Sequence, residues 1–269
     1  MVIVNISGRE FYMNETMKPN LDFIQKKVLG HNNMSVIIVD GRIGTGKSTV
    51  TAQYAYYLSN GTFNNDFENF NTEQFNEVLR NSGKGDAVVL DEAFDVLNKR
   101  RTQTTSNMLI LSLLQQMRIK HVFIFIVLPS VFDLDKNLVL NLADMLIHCY
   151  RKPYGARGQY KCYSQKQLKR LWINGRNTYS YSSKYAEPNF IGNFTSFFPF
   201  DYNEYERKKL ESIRKMIVTE KADSKYLVQR NKYIKYLYNI LHIPVKEIAE
   251  VISIGERTVY DILDGKQKD

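Results

Sequence analysis

Residues 41–48 have the types and spacing that bind the phosphates of a nucleotide. They read Gly-Arg-Ile-Gly-Thr-Gly-Lys-Ser, a complete G-x-x-x-x-G-K-[ST] phosphate-binding loop. An apolar strand pattern over 35–40 precedes the loop, and a helix pattern over 47–59 follows it. That context aims backbone N–H groups and the positive end of a helix at one anion. The alternative, a chance match in a surface loop, does not explain the flanking strand and helix.

The individual residues of this loop predict individual roles. Lys47 is expected to reach the β- and γ-phosphates, and the Ser48 hydroxyl is expected to hold Mg²⁺. The glycines allow the backbone to wrap closely around phosphate. The sequence therefore predicts ATP and Mg²⁺ as cofactors. The predicted nucleotide-binding residues of the loop are Gly41, Gly44, Thr45, Gly46, Lys47, Ser48 and Thr49.

A second acidic motif follows some forty residues later. Residues 86–92 form a short apolar run that ends in Asp91 and Glu92, the Walker B pattern. Asp91 is expected to bind Mg²⁺ at a strand end, and Glu92 to polarise the attacking water as general base. Adjacent acids are commonly just solvated, but here they follow a buried-strand pattern and a phosphate-binding loop. An acid directly after the metal-binding aspartate indicates an ATP-hydrolysing, motor-like enzyme rather than a small GTPase or nucleotide kinase.

Length and composition indicate the cellular setting. The 269 residues suffice for one α/β domain and a small appendage, and 43% of them are apolar. Cys149 and Cys162 are the two cysteines, which predicts a reducing compartment without a disulfide framework. The longest apolar run, 122–129, is far shorter than the ~20 residues that cross a bilayer. We therefore expect a cytoplasmic protein without a membrane span, in a bacterial, archaeal or virus-infected host cell.

Charge is distributed unevenly along the chain. Residues 1–150 carry a net charge of −1, whereas residues 151–269 carry a net charge of +10. The whole chain therefore has a net charge of +9. A neutral catalytic part joined to a basic part predicts a polyanionic partner, most simply nucleic acid. The alternative is a lysine-rich surface that serves solubility.

The alternation of strand and helix patterns predicts the fold. We expect an α/β fold, a P-loop NTPase with a largely parallel, additional-strand sheet in which the strand 121–129 lies between the P-loop and Walker B strands. Further strands are expected at 144–150 and 159–164, and helices at 21–29, 72–79 and 108–120. The predicted domains are an ATPase domain at 1–175, an aromatic arm at 176–204 and a small all-α DNA-binding domain at 205–269.

The predicted arm is unusually aromatic. Nine aromatic residues lie between Tyr179 and Tyr202, interleaved with Ser, Asn, Gly and Pro. The composition is too apolar for a free linker. It favours an extended segment packed on its own body or on a neighbouring subunit. The alternative is a surface on which single-stranded bases stack.

The C-terminal part predicts a helix-turn-helix. Two basic helices are expected at 205–220 and 224–241, and residues 245–263 then carry apolar residues at the buried positions of a helix-turn-helix. The second helix of that unit is expected to present Arg257, Thr258 and Tyr260 to the major groove. Lys232 and Lys235 are expected to contact phosphates. The alternative is a helical bundle used for protein contacts.

Several of these segments together resemble a known family. They are Val-Val-Leu-Asp91-Glu92-Ala-Phe-Asp-Val-Leu, then Arg100, Leu-Leu-Gln-Gln-Met-Arg118, Leu-Pro129-Ser130-Val-Phe-Asp133 and Leu146-Ile-His148-Cys-Tyr-Arg151. Over residues 35–165 the chain resembles the FtsK–HerA DNA-pumping ATPases, in particular their zonular-occludens-toxin-like branch. That resemblance implies a ring, often a hexamer, that pumps DNA. The branch usually has a polar γ-phosphate sensor at the end of the strand over 121–129, and Ser130 is the nearest such residue here.

Ring ATPases complete their site with an arginine from the neighbouring subunit. Arg118 is the first candidate, because it precedes the sensor strand, and Arg100 and Arg101 are the reserves. The alternative for Arg118 is a cation that complements a helix dipole.

The sequence as a whole indicates an oligomeric ATP-hydrolysing DNA motor of a virus, plasmid or mobile element. A replication initiator or helicase loader, or a nucleotide-gated DNA-binding regulator, are the alternatives.

Overall fold

A computed structural model describes residues 1–31, 33–70, 72–91, 117–151 and 158–264, with no side-chain description for 72–73, 117–118, 213, 215–226 and 228. By compactness the chain divides into a first unit, Met1–Glu206, and a second unit, Arg207–Asp269. Each unit has hydrophobic core residues of its own.

The first unit is built on one twisted sheet. Its strands, as far as the chain is described, are β3 (Ser35–Gly41), β4 (Glu68–Asn69), β5 (Ala87–Leu90), β6 (Phe123–Leu128), β7 (Ala143–Tyr150), β8 (Gln159–Ser164) and β9 (Phe190–Asn193). They are hydrogen bonded in the order β4-β5-β6-β3-β7-β8-β9. Neighbours from β4 to β7 pair in parallel, whereas β8 and β9 are antiparallel additions. The predicted parallel-dominated α/β sheet is thus confirmed.

The strand β6 lies between β3 and β5. Phe123 at its start is in register with Ser35 of β3 and with Ala87 of β5. All residues of β3, β5 and β6 are buried, which explains their continuous apolar runs. Because the strands are parallel, their carboxyl ends meet at one edge of the sheet, where ligands bind in this type of fold.

Helices and a hairpin cover the sheet. The hairpin pairs β1 (Val2–Ile6) with β2 (Arg9–Met13), and the helices are α1 (Met17–Gly30), α2 (Lys47–Leu58), α3 (Thr72–Asn81) and α4 (Gln165–Gly175). The helix predicted over 108–120 falls largely outside the described residues. Its last part, Met117–Lys120, is a 3₁₀ turn that leads into β6.

The segment after α4 packs against α2 and β2 within the first unit. The amide of buried Gln53, on α2, donates to the carbonyl oxygens of Thr195 at 2.8 Å and Phe197 at 2.7 Å. The Phe197 ring also stacks on Phe11 of β2 at 4.7 Å between centroids. Residues 50–58 of α2 are consequently all buried. The predicted aromatic arm therefore packs within the first unit, in agreement with an arm that packs on its own body.

The second unit is helical. The helix α5 (Tyr202–Asn239) crosses the boundary between the units, and α6 (Val245–Ile252) and α7 (Glu256–Leu263) follow it. The prediction of two separate helices over 205–241 is therefore wrong: one helix continues to Asn239, because no glycine or proline interrupts it.

A tight turn joins α6 to α7. Ser253 adopts a left-handed conformation with φ 57°, and the Ile254 N–H donates to the Ala249 carbonyl at 3.0 Å. Ile248, Val259 and Ile262 are buried between the helices, with Ile234 of α5. The spacing of these apolar residues agrees with the predicted helix pair, while its DNA-binding role stays a prediction. Within the described ranges, no helix has the length and apolar character to cross a membrane.

Candidate nucleotide-binding site

The predicted phosphate loop connects β3 to α2 in a conformation that needs glycine. Gly41, Gly44 and Gly46 have φ values of 138°, 73° and 94°. A Cβ atom at Gly41 would lie 2.1 Å from the Cys149 carbonyl oxygen, and one at Gly46 would lie 2.7 Å from the Phe194 ring. The loop therefore requires glycine at these positions for both conformation and space.

The first residues of α2 follow the loop directly, where the sequence predicted the helix to begin. Lys47 is the first residue of the helix, and its Nζ donates to the carbonyl oxygens of Gly41 at 2.8 Å and Arg42 at 3.1 Å. Thr45 is buried, and its hydroxyl also donates to the Arg42 carbonyl, at 2.8 Å. Thr49, two residues into the helix from Lys47, is half-buried. The ammonium group is thus held within the loop itself, beside the backbone that would surround a phosphate.

The two halves of the predicted metal site meet. Ser48 Oγ donates to Oδ2 of Asp91 at 3.1 Å, and Asp91, directly after β5, is 1% exposed. Hydroxyl and carboxylate oxygens are ligands that Mg²⁺ accepts, usually together with phosphate oxygens and water. Ser48 and Asp91 therefore fit the predicted cation. Glu92, the predicted general base, lies outside the described residues. The described ranges contain no cluster of three or more His, Cys, Asp or Glu side chains arranged for a metal.

A tyrosine that sequence reasoning missed also contacts the Walker B aspartate. Tyr205, in the first turn of α5, donates its hydroxyl to the same Oδ2 of Asp91 at 2.8 Å. Burial raises the pKa of Tyr205, and the negative charges of Asp91 and Glu68 raise it further. The phenol is consequently a neutral donor at any physiological pH. Tyr205 is 114 residues from Asp91, so no local sequence signal could have revealed the contact.

A buried polar cluster lies on the other side of β3. Asp40, the residue before the loop, is fully buried, and its Oδ1 lies 2.8 Å from Nδ1 of His148 on β7. Its Oδ2 accepts hydrogen bonds from the Val131 N–H at 2.8 Å and from the Tyr181 hydroxyl. The His148 and Tyr181 rings are stacked, with centroids 3.7 Å apart. Burial, and then the nearby charge of Asp40, raise the pKa of Tyr181 well above its usual value. The sequence signal that could have revealed this cluster was Asp40, an acid inside an otherwise apolar strand.

This cluster borders a cavity of about 610 Å³ beside the phosphate loop. The lining includes residues of the loop and of the strand ends, among them Arg42, Ser130, His148, Tyr150, Arg151 and Tyr179. The guanidinium of Arg151 donates to the Gly44 carbonyl at 2.9 Å and so lies against the loop. The volume falls within the range of small-ligand sites.

Ser130, the predicted phosphate sensor, caps a short 3₁₀ turn. Its Oγ accepts a hydrogen bond from the Phe132 N–H and lies 3.2 Å from the Tyr181 hydroxyl. It follows β6 and lines the cavity next to Gly41. Its role as a sensor stays a prediction.

The remaining predicted residues lie elsewhere or are not described. Arg118 belongs to the 3₁₀ turn before β6, but its side chain is outside the described part, as are Arg100 and Arg101. In the second unit, the predicted DNA contacts divide by exposure. Arg257, Tyr260 and Lys232 are exposed, whereas Thr258 and Lys235 are half-buried.

Comparison with known proteins identifies distant structural neighbours. The DNA-packaging ATPase B204 from Sulfolobus Turreted Icosahedral Virus is 15% identical, with a TM-score of 0.37 over 51% of this chain and 94% of that one. The N-terminal domain of zonular occludens toxin from Neisseria meningitidis is 18% identical, with a TM-score of 0.36 over 49% and 84%. The AAA domain of FIGL-1 in complex with ADP is 12% identical, with a TM-score of 0.35 over 74% and 87%.

No family model and no curated protein matches the sequence. The fold is therefore assigned from the chain itself, from its strand order and from the loop between β3 and α2. These define a P-loop nucleotide-binding fold. The position of β6 between the P-loop strand and the Walker B strand defines the additional-strand arrangement within it.

Proposed function

We propose that this protein is an ATP-hydrolysing motor that acts on DNA as an oligomer. The observation that carries the proposal is the contact between Ser48 Oγ and Asp91 Oδ2 at the carboxyl edge of a parallel sheet. It joins a phosphate-binding loop to a Walker B aspartate, the pair that ATPases use for Mg²⁺ and phosphate.

Each part of the nucleotide has candidate partners. The loop N–H groups and Lys47 would hold the phosphates, and the cavity beside the loop is large enough for a nucleoside. Mg²⁺, when bound with ATP, would neutralise charge on the phosphate oxygens, with Ser48 and Asp91 as its protein ligands. Glu92 is proposed to orient and polarise the attacking water.

The proposal that DNA is the partner rests on the C-terminal part. The basic excess of +10 beyond residue 150 favours a polyanion, and α6 and α7 have the lengths and the buried apolar spacing of a helix-turn-helix. Arg257 and Tyr260 on α7 are exposed and available to contact bases. The sequence resemblance to DNA-pumping ATPases agrees with this partner.

The oligomer is proposed because the ring ATPases that the sequence resembles complete their site with an arginine from the neighbouring subunit. Within the described ranges, Arg151 lies against the loop backbone, where it bonds to the Gly44 carbonyl. We propose Arg118 of a neighbouring subunit for this role. Mixing Arg118→Ala subunits with Glu92→Gln subunits should restore some activity, because mixed interfaces regain one intact site. Mixtures as inactive as the separate variants would contradict an arginine acting in trans.

The proposed function is tested by ATP hydrolysis measured with and without duplex DNA, together with electron microscopy of the full chain with an ATP analogue and DNA. Strong stimulation by DNA and closed rings around the duplex are expected. Slow turnover that DNA does not change would favour a nucleotide-gated regulator. DNA remodelling without directional movement would favour an initiator or helicase loader.

A further inference from the structure

The last turns of α5 present a pair of aromatic rings to solvent. Tyr233 is 61% exposed and Tyr236 is 49% exposed. The two residues are three positions apart, so they are neighbours on one face of the helix. Their ring centroids lie 6.5 Å apart, and the ring planes are inclined by 29°. The pair therefore forms one aromatic surface on the second unit.

This surface is separate from the core of the second unit. Ile234 and Leu237, each one position after a tyrosine of the pair, are buried and belong to the core that α5 forms with α6 and α7. Adjacent positions of a helix point in different directions. The tyrosine rings are therefore not required for packing the three helices together, and their exposure calls for another explanation.

The segment around the pair is strongly basic. Residues 224–246 include no aspartate or glutamate, and their cationic residues are Lys225, Arg230, Lys232, Lys235 and Lys246. Lys232 is exposed and precedes Tyr236 by four positions, so both side chains lie on the same face. A second copy of this face would bring like charges together, whereas a polyanion would be attracted to it.

Aromatic rings beside cationic side chains are the combination that binds single-stranded nucleic acid. The cations attract the backbone phosphates, and each ring stacks on the face of a base. In a duplex the base faces are already stacked on one another, so the rings of a protein helix do not reach them. The chemistry of this surface thus favours a single strand over a duplex.

We propose that Tyr233 and Tyr236 are a stacking surface for the bases of single-stranded DNA, with Lys232 beside them for the phosphates. This inference rests on the proposed action on DNA, and it adds the type of strand. The surface is distinct from the proposed duplex-reading residues of α7, Arg257 and Tyr260. Because every base has a face on which a ring can stack, this binding should depend little on sequence.

The test measures two affinities of the full chain by fluorescence anisotropy, one for labelled oligothymidylate and one for a labelled duplex of the same length. Tyr233→Ala and Tyr236→Ala should each weaken binding of the single strand roughly fivefold or more, because a stacked base is lost. Duplex affinity should not change. Tyr233→Phe and Tyr236→Phe keep the rings and should bind the single strand as the wild-type chain does.

The matched control is Tyr238→Ala. Tyr238 is 41% exposed on the same helix, but it is two positions from Tyr236 and so faces another direction. Its loss should leave both affinities unchanged. Unchanged single-strand affinity in Tyr233→Ala and Tyr236→Ala would overturn the proposal. An equal loss of single-strand and duplex affinity would overturn it as well, because stacking on bases affects the single strand alone.

Other occupants of this surface give different results. Ile240 is 60% exposed and follows Tyr236 by four positions, so the same face would also suit a protein contact. A smaller oligomer of Tyr233→Ala in sedimentation velocity without DNA would assign the face to subunit contacts and overturn the proposal. Tighter binding of oligouridylate than of oligothymidylate would overturn DNA as the occupant.

The wild-type chain separates failure of this inference from failure of the proposed function. If it binds the duplex but not oligothymidylate at low salt, the stacking surface is wrong and the proposed action on DNA stands. If it binds neither probe, the proposed DNA partner fails as well.

Discussion

Ser48 and Asp91 are 43 residues apart in the chain, yet the hydroxyl of one lies 3.1 Å from a carboxylate oxygen of the other. The parallel order β5-β6-β3 brings the end of β5 to the start of α2. The predicted phosphate loop and the carboxylate predicted to bind Mg²⁺ are thereby placed at one edge of the sheet.

Lys47→Ala should abolish nucleotide binding, because it removes the ammonium group that the loop carbonyls of Gly41 and Arg42 hold. The measurement is titration with a fluorescent ATP analogue. The control is Lys26→Ala, since Lys26 is an exposed lysine of α1. Retained affinity in Lys47→Ala would mean that the loop is not the nucleotide site.

Glu92→Gln should bind ATP normally but hydrolyse it at least ~100-fold more slowly, since a positioned general base contributes that much or more. Phosphate release and nucleotide binding are measured on the same preparation. Normal turnover in this variant would show that another group activates the water.

Gly46→Ala should destabilise the protein and weaken nucleotide binding. The left-handed backbone costs about 1–2 kcal/mol for a residue with a Cβ, and that atom would also collide with the Phe194 ring. Urea denaturation measures the change in the free energy of unfolding. Gly30→Ala is the control, because a Cβ there meets no atom within 4 Å, and it should be close to neutral.

The two cysteines should not react with a thiol reagent at pH 8 until the protein unfolds. Burial raises the pKa of Cys162 to about 12, and burial, then the charge of Asp40, raise that of Cys149. Their folded-state pKa values are higher than the unfolded ones. The stability they contribute is therefore complete below pH 9 and is lost as the pH rises towards 12.

Labelling with a chromogenic disulfide in buffer and in urea, together with urea denaturation between pH 8 and 10.5, tests this prediction. Rapid labelling of either thiol in the native protein would contradict the buried environment of β7 and β8. A free energy of unfolding that increases with pH over this range would contradict the predicted loss of stability.

Arg257→Ala should reduce discrimination between DNA sequences by ~1–3 kcal/mol if the guanidinium reads a guanine edge. Lys232→Ala should instead weaken binding to all sequences alike and make the salt dependence shallower, as loss of a phosphate contact does. The measurement is fluorescence anisotropy of the full chain on two duplexes at several salt concentrations.

Ile248→Asp is the control for these DNA experiments, because Ile248 is 1% exposed between α6 and α7 and an acid there disrupts the helix pair. It should abolish both kinds of DNA contact. Absence of DNA binding by the wild-type chain at low salt would favour a role of the second unit in protein contacts.

The sequence by itself determined the parts of this protein whose physics is local. The loop motif is a contiguous run, so residues 41–48 were sufficient to predict a glycine-dependent loop between β3 and α2. The buried strands β3, β5 and β6 were predictable as well, because a parallel strand covered on both faces reads as a continuous apolar run. The prediction was wrong over 205–241, where one helix replaces the two predicted ones, since the residues between them include no glycine or proline that would end a helix.

Only the tertiary structure decided which distant residues share the site. Tyr205 reaches Asp91 across 114 residues, and Tyr181 reaches Asp40 across 141, through a segment whose aromatic residues have no sequence period. Such a contact depends on where packing anchors the chain, here on Gln53 of α2 and Phe11 of β2. A hydroxyl can donate to any carboxylate brought within reach, so its partner is set by the path of the backbone and not by its own neighbours in the sequence.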